Sequence, residues 1–141
     1  MWGKFVWNLF DFASDGRAEG GAPGLNDKGL MTYDRRTRKD AFFWYKANWS
    51  AEPVLHLASS RFTERTTRQV EIKAYSNARQ VEVFLNGASR GVVASSDHIF
   101  RWPVELADGD NRIVARARTD AGEITDECIW KFTDKTAGTG P

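Results

Sequence analysis

At the start of the chain the apolar positions are crowded rather than alternating. Phe5, Val6, Trp7, Leu9, Phe10 and Phe12 follow one another with only Asn8 and Asp11 between them. Such a run, from Lys4 to Phe12, predicts a strand buried on both faces, as in a parallel sheet or barrel. From Ala13 to Arg36 the composition shifts to Gly, Asp, Asn and Arg, with Gly20, Gly21, Pro23 and Gly24 close together. This predicts a long irregular loop, of the kind that carries function. Helical spacing begins at about Thr37: Ala41, Tyr45 and Trp49 fall on one side with Trp44 beside them, and Pro53 closes the segment. The pattern reads as one amphipathic helix. Phe42, Phe43, Trp44, Tyr45 and Trp49 are a heavy aromatic load for a solvated helix and imply a large partner surface.

After Pro53 the period changes to two. Val70, Ile72 and Ala74 alternate with Glu71 and Lys73, and Val81, Val83 and Leu85 enclose Glu82, the signature of half-buried strands. Val54 to Ala58, Ile99 to Leu106, Asn111 to Arg118 and Cys128 to Phe132 behave similarly, with turn signals at Asn86-Gly87, Asp108-Gly109 and Ala121-Gly122. Roughly seven short strands at this spacing predict an immunoglobulin-like β-sandwich. Cys128 alternates with Trp130 and Phe132 as a core residue would, which predicts a buried thiol. The stretch from Lys135 to Pro141 has linker chemistry.

Composition narrows the function classes. The chain carries 20 basic and 19 acidic residues spread along its length, so it lacks the basic stripe that a phosphate backbone requires and predicts no nucleic-acid partner. With one cysteine there is no internal disulfide and no cysteine-rich zinc site. His56 and His98 stand apart without a second histidine at ligand spacing, and no metal or other cofactor is implied. No apolar run reaches membrane-spanning length, so no membrane partner is expected, and Met1-Trp2 does not open a signal peptide. The compartment stays open; a periplasmic or secreted parent is compatible with this stretch.

Two segments carry a resemblance. FVWNLFDF followed by GLNDKGLMTYDRRTRKDAFFWYKANW resembles the end of the catalytic (β/α)8 barrel in family 2 glycoside hydrolases, closest to the β-galactosidase-like branch. AYSNARQVEVFLNGASRG and LADGDNRIVARARTDAG resemble the immunoglobulin-like domain that follows the barrel there. The division implied is residues 1–52 for the strand, loop and helix of an incomplete barrel, 53–134 for the sandwich and 135–141 for a linker or tail.

The resemblance implies a retaining glycosidase, in which one glutamate protonates the leaving oxygen and a second, about 5–5.5 Å away, attacks the anomeric carbon. None of the glutamates here, Glu19, Glu52, Glu64, Glu71, Glu82, Glu105, Glu123 and Glu127, stands in a family catalytic motif, so no catalytic residue is expected in this chain. A substrate-binding wall is. Trp7 takes the position of the tryptophan that stacks on the sugar, and Asn8 and Asp11 offer hydrogen bonds to hydroxyls or cap the strand end. Asn26 and Lys28 form an Asn-x-Lys pair that resembles the one β-glucuronidases use to hold a sugar carboxylate, or else brace the loop.

Arg17, Arg35 and Arg36 are expected to pair with Asp15, Asp34 or Asp40. On the sandwich, Tyr75, Phe84 and Trp102 form either a sugar-binding aromatic face or part of the core. The leading expectation is a piece of a β-galactosidase-like hydrolase, inactive alone, whose sandwich is a spacer and whose parent acts on a β-galactoside or related saccharide; a β-glucuronidase is the alternative parent. A carbohydrate-binding module is the alternative for the isolated chain, as is self-association through the helix from Thr37 to Trp49.

Overall fold

Strict alternation from Gln69 onward produces strands with one buried and one solvated face. In the computed structural model, which describes residue 3 and residues 5–134, the chain forms two compact units, Met1–Phe43 and Trp44–Pro141. The readings made for Met1-Trp2, for Lys4 and for 135–141 fall outside the described residues.

The second unit is the sandwich. One sheet has three strands in the order β3 (Leu55–Leu57), β5 (Gln69–Ser76), β8 (Ile99–Glu105). The other has five, in the order β4 (Glu64–Arg65), β10 (Gly122–Phe132), β9 (Gly109–Thr119), β6 (Gln80–Leu85), β7 (Ala88–Ala94). All pairings are antiparallel except β4 with β10, where Glu64 and Arg65 lie opposite Lys131 and Phe132. Between the sheets Leu57, Ile72, Val81, Phe100, Trp102, Ile113 and Trp130 are almost wholly buried. Their removal from water, at about 25 cal/mol per Å² of apolar surface, is the main force holding the sheets together. Asn86 and Gly87, at φ of 53° and 82°, make the β6–β7 hairpin turn, the left-handed pair that the Asn-Gly signal demands.

Cys128 packs against this core and is half-buried. Burial, helped by Asp126 and Glu127 against Arg65, pushes its thiol up to about 12. Tyr75, Phe84 and Trp102 do not share a face. Trp102 is 2% exposed, and its indole N–H donates to the Gly91 carbonyl at 3.0 Å; Tyr75 and Phe84 lie in different sheets. The core reading is the correct one for Trp102.

In the first unit two expectations change. Over residues 5–12 the apolar run is not a doubly covered strand: Phe5 is 98% and Trp7 83% exposed, and Phe10 makes a single parallel bridge to Met31. A strand covered on both faces needs flanking strands, and here the backbone at Asn8 to Asp11 meets one neighbouring segment. The supposed loop holds a hairpin, β1 (Phe12–Glu19) with β2 (Ala22–Asn26), turned at Gly20 and Gly21 at φ of 60° and 80°. The glycines were a hairpin signal, because that turn requires left-handed residues.

Helix α1 (Asp40–Trp49) crosses the boundary between the units and starts after Thr37. Asp40 in its first turn and Lys46 in its last suit the helix dipole. It has no single apolar stripe: four consecutive aromatics, Phe42 to Tyr45, point to successive sides at about 100° each, and only Ala47 is buried. No helix among the described residues is long and apolar enough to cross a membrane.

Candidate sugar-binding wall

Residues 8–11 and 27–31 run side by side in the first unit. The Leu30 and Met31 amides donate to the carbonyls of Asn8 and Leu9 at 3.1 and 2.9 Å, and the Asp11 amide donates back to Met31 at 2.9 Å. The contact is closed by Asp11, whose Oδ1 accepts from the Gly29 amide at 2.9 Å and from Lys39 Nζ at 2.6 Å. The ammonium also donates to the Asp27 carbonyl. Asp11 is 7% exposed, so this is a charge-assisted junction shielded from water, stronger than a neutral hydrogen bond. Residue 29 must be glycine here: a Cβ would sit 2.2 Å from Asp11 N and from the Phe10 carbonyl carbon.

Trp7 stands at the end of this pair of segments with its ring exposed, edge-on to Phe12 at 6.3 Å. The Trp7–Asn8 peptide bond is cis. Asn8 keeps a buried Oδ1 without a hydrogen-bond partner. Asn26 is 7% exposed, and its Oδ1 accepts the Lys28 amide at 3.1 Å; what remains for a ligand is its amide donor. Lys28 Nζ lies 3.3 Å from Glu19 Oε1. Glu19 also accepts from Arg17 Nη1 at 2.8 Å and from the Asp27 amide at 3.2 Å. Desolvation alone would raise the Glu19 carboxyl; Arg17, Lys28 and the Asp27 amide outweigh it and hold the group below its ordinary value.

All five residues expected from the sequence, Trp7, Asn8, Asp11, Asn26 and Lys28, therefore belong to one unit, with Asp11 turned inward as a brace. Lys39, Gly29 and Glu19 join these residues through the contacts above and were not named from the sequence as binding candidates. Lys39 sits in the run Arg35-Arg36-Thr37-Arg38-Lys39, where nothing marks one cation as turned in to a carboxylate. Of the expected arginine pairs, Arg36 does lie beside Asp34, while Arg17 and Arg35 differ. Arg17 goes to Glu19, Arg35 covers the Phe10 ring at 4.8 Å, and Asp34 accepts from Thr32 Oγ1 and the Arg36 amide. Among the described residues no three His, Cys, Asp or Glu side chains are grouped to hold a metal ion.

The proteins that this chain is similar to are glycosidases by name and much longer than it. A family model described as a domain of unknown function, DUF4982, matches residues 67–125. A β-glucuronidase of Bacteroides fragilis is 43% identical over 138 residues, 95% of this chain and 20% of its own length. A β-galactosidase of Bacteroides ovatus is 27% identical over 89% of this chain and 14% of its own. The crystal structure of an FMN-binding β-glucuronidase from Facaelibacterium prausnitzii L2-6 superposes with a TM-score of 0.83 at 38% identity, covering 92% of this chain and 19% of that one. The chain is a segment of a protein of the family 2 glycoside hydrolase type, spanning about a fifth of the length of the curated relatives it matches.

Proposed function

We propose that the chain supplies one wall of the sugar cleft of a retaining β-glycosidase whose substrate is a β-glucuronide, with a β-galactoside as the alternative, and that alone it hydrolyses neither. The observation that carries this reading is the side-by-side course of residues 8–11 and 27–31, beside which the Trp7 ring stays 83% exposed. An exposed indole offers the flat apolar surface that the C–H face of a pyranose stacks on. Asp11 acts at one remove, holding both segments through Gly29 and Lys39.

Asn26 and Lys28 favour the glucuronide. An ammonium has three donors; one is oriented by Glu19, and the 59% exposed Lys28 side chain keeps others for a sugar carboxylate. In the full-length protein, Lys28→Gln should lower kcat/KM on an aryl β-glucuronide about 10- to 100-fold, the size of a lost charged hydrogen bond of about 1.5–3 kcal/mol. Activity on the matching β-galactoside should be unchanged. Equal losses on both substrates would make Lys28 a structural residue and remove the glucuronide assignment.

A further inference from the structure

Two depressions of about 520 and 440 Å³ adjoin on the sandwich, where the turns between β5 and β6 and between β9 and β10 come together, and both are walled by Arg79 and Arg118. Each is within the size range of small-ligand sites, about 300–1,000 Å³. Arg116 lines the second depression, two residues from Arg118 on the same exposed face of β9. Arg79 immediately precedes β6, whose Val81 pairs with Ala117. Three guanidinium groups thus crowd two adjacent strands. Among the described residues none of them forms a salt bridge, and Arg116 only covers the Phe84 ring at 4.9 Å.

Three carboxylates share the walls. Asp120 lies in the first depression, Glu82 and Glu123 in the second, and Glu82 accepts from Ser89 Oγ at 2.6 Å. The lining is therefore rich in charge and carries no net charge. A polyphosphate or nucleic-acid strand needs a net positive track. A ligand with an anionic group and several hydroxyls is suited instead: guanidinium forks match carboxylates, and carboxylates accept from hydroxyls.

We propose that this double groove binds an acidic saccharide, with a uronate carboxylate held between Arg79 and Arg118 and neighbouring hydroxyls donated to Asp120 and Glu82. The site lies wholly within the sandwich and does not depend on the sugar wall around Trp7.

The test is a titration of the isotope-labelled full chain, followed by amide NMR, with tetragalacturonate, its neutral methyl ester and acetate. Saturable shifts centred on residues 78–82 and 116–123 are expected with the acid. The ester, or an Arg79→Ala/Arg118→Ala variant with an otherwise unchanged spectrum, should weaken binding at least tenfold. No shifts, shifts located elsewhere, equal binding of the ester, retention in the variant, or the same response to acetate would each overturn the assignment, the last by reducing the groove to an unspecific anion site.

Discussion

Gly29 has no room for a side chain, and that makes it the most sensitive single position in the first unit. A methyl group there must displace the backbone of Phe10 and Asp11, where nothing flexible can give way. Gly29→Ala should destabilise the first unit by at least about 1–3 kcal/mol, the usual cost of overpacking. Faster hydrogen exchange at the amides of Asp11, Leu30 and Met31 would register it; unchanged protection would contradict the close approach. Cys128 gives a second prediction. Its thiol is raised to about 12 in the fold from an ordinary 9.0, so the unfolded chain ionises first. The associated stability is fully present below pH 9 and is lost as pH rises toward 12. Urea midpoints should fall between pH 9 and 11 in the native chain, and Cys128→Ala should flatten that slope. Reading Cys128 as a packed thiol was possible from its alternation with Trp130 and Phe132. Lys39 was not legible, since which cation among several turns inward is decided by the carboxylate and backbone carbonyl that lie opposite.

At the scale of elements, legibility followed burial. β5, β6 and β8 bury alternate residues, as the burial along Gln69–Ser76, Gln80–Leu85 and Ile99–Glu105 shows, so hydropathy marked them. β7 and β1 are largely exposed and β2 buries only Asn26 at its end; with no buried apolar face they leave no period to read. The helix was recognised, but its aromatic crowding was mistaken for a stripe. The turn between β8 and β9 depends on Asn111, which is fully buried: its Oδ1 accepts from the Ala107 amide and Asn86 Nδ2, and its Nδ2 donates to Ala107 and Gly109. Asn111→Leu would strand several of these groups without water, at about 1–3 kcal/mol for each buried group left unsatisfied. Chemical denaturation should show a loss of about 3 kcal/mol, whereas a change under 1 kcal/mol would mean that the turn does not need this side chain.

For the molecule as a whole, the sandwich has its own core and the first unit has an ordered wall of side chains, yet the two differ in how they were foreseen. The sandwich followed from period and turn chemistry. The proposed wall rests on family resemblance at Trp7, Asn26 and Lys28, because an exposed tryptophan and a tethered lysine have no hydropathy signature that separates them from ordinary surface residues. The same resemblance places a retaining mechanism's two carboxyl groups outside any motif found here, and so predicts binding chemistry without hydrolysis. That claim is tested most directly by assaying the purified chain against nitrophenyl β-glucuronide and nitrophenyl β-galactoside through successive purification steps. No release of nitrophenol above buffer is predicted for either substrate. Turnover proportional to chain concentration and constant in specific activity from step to step would contradict the account.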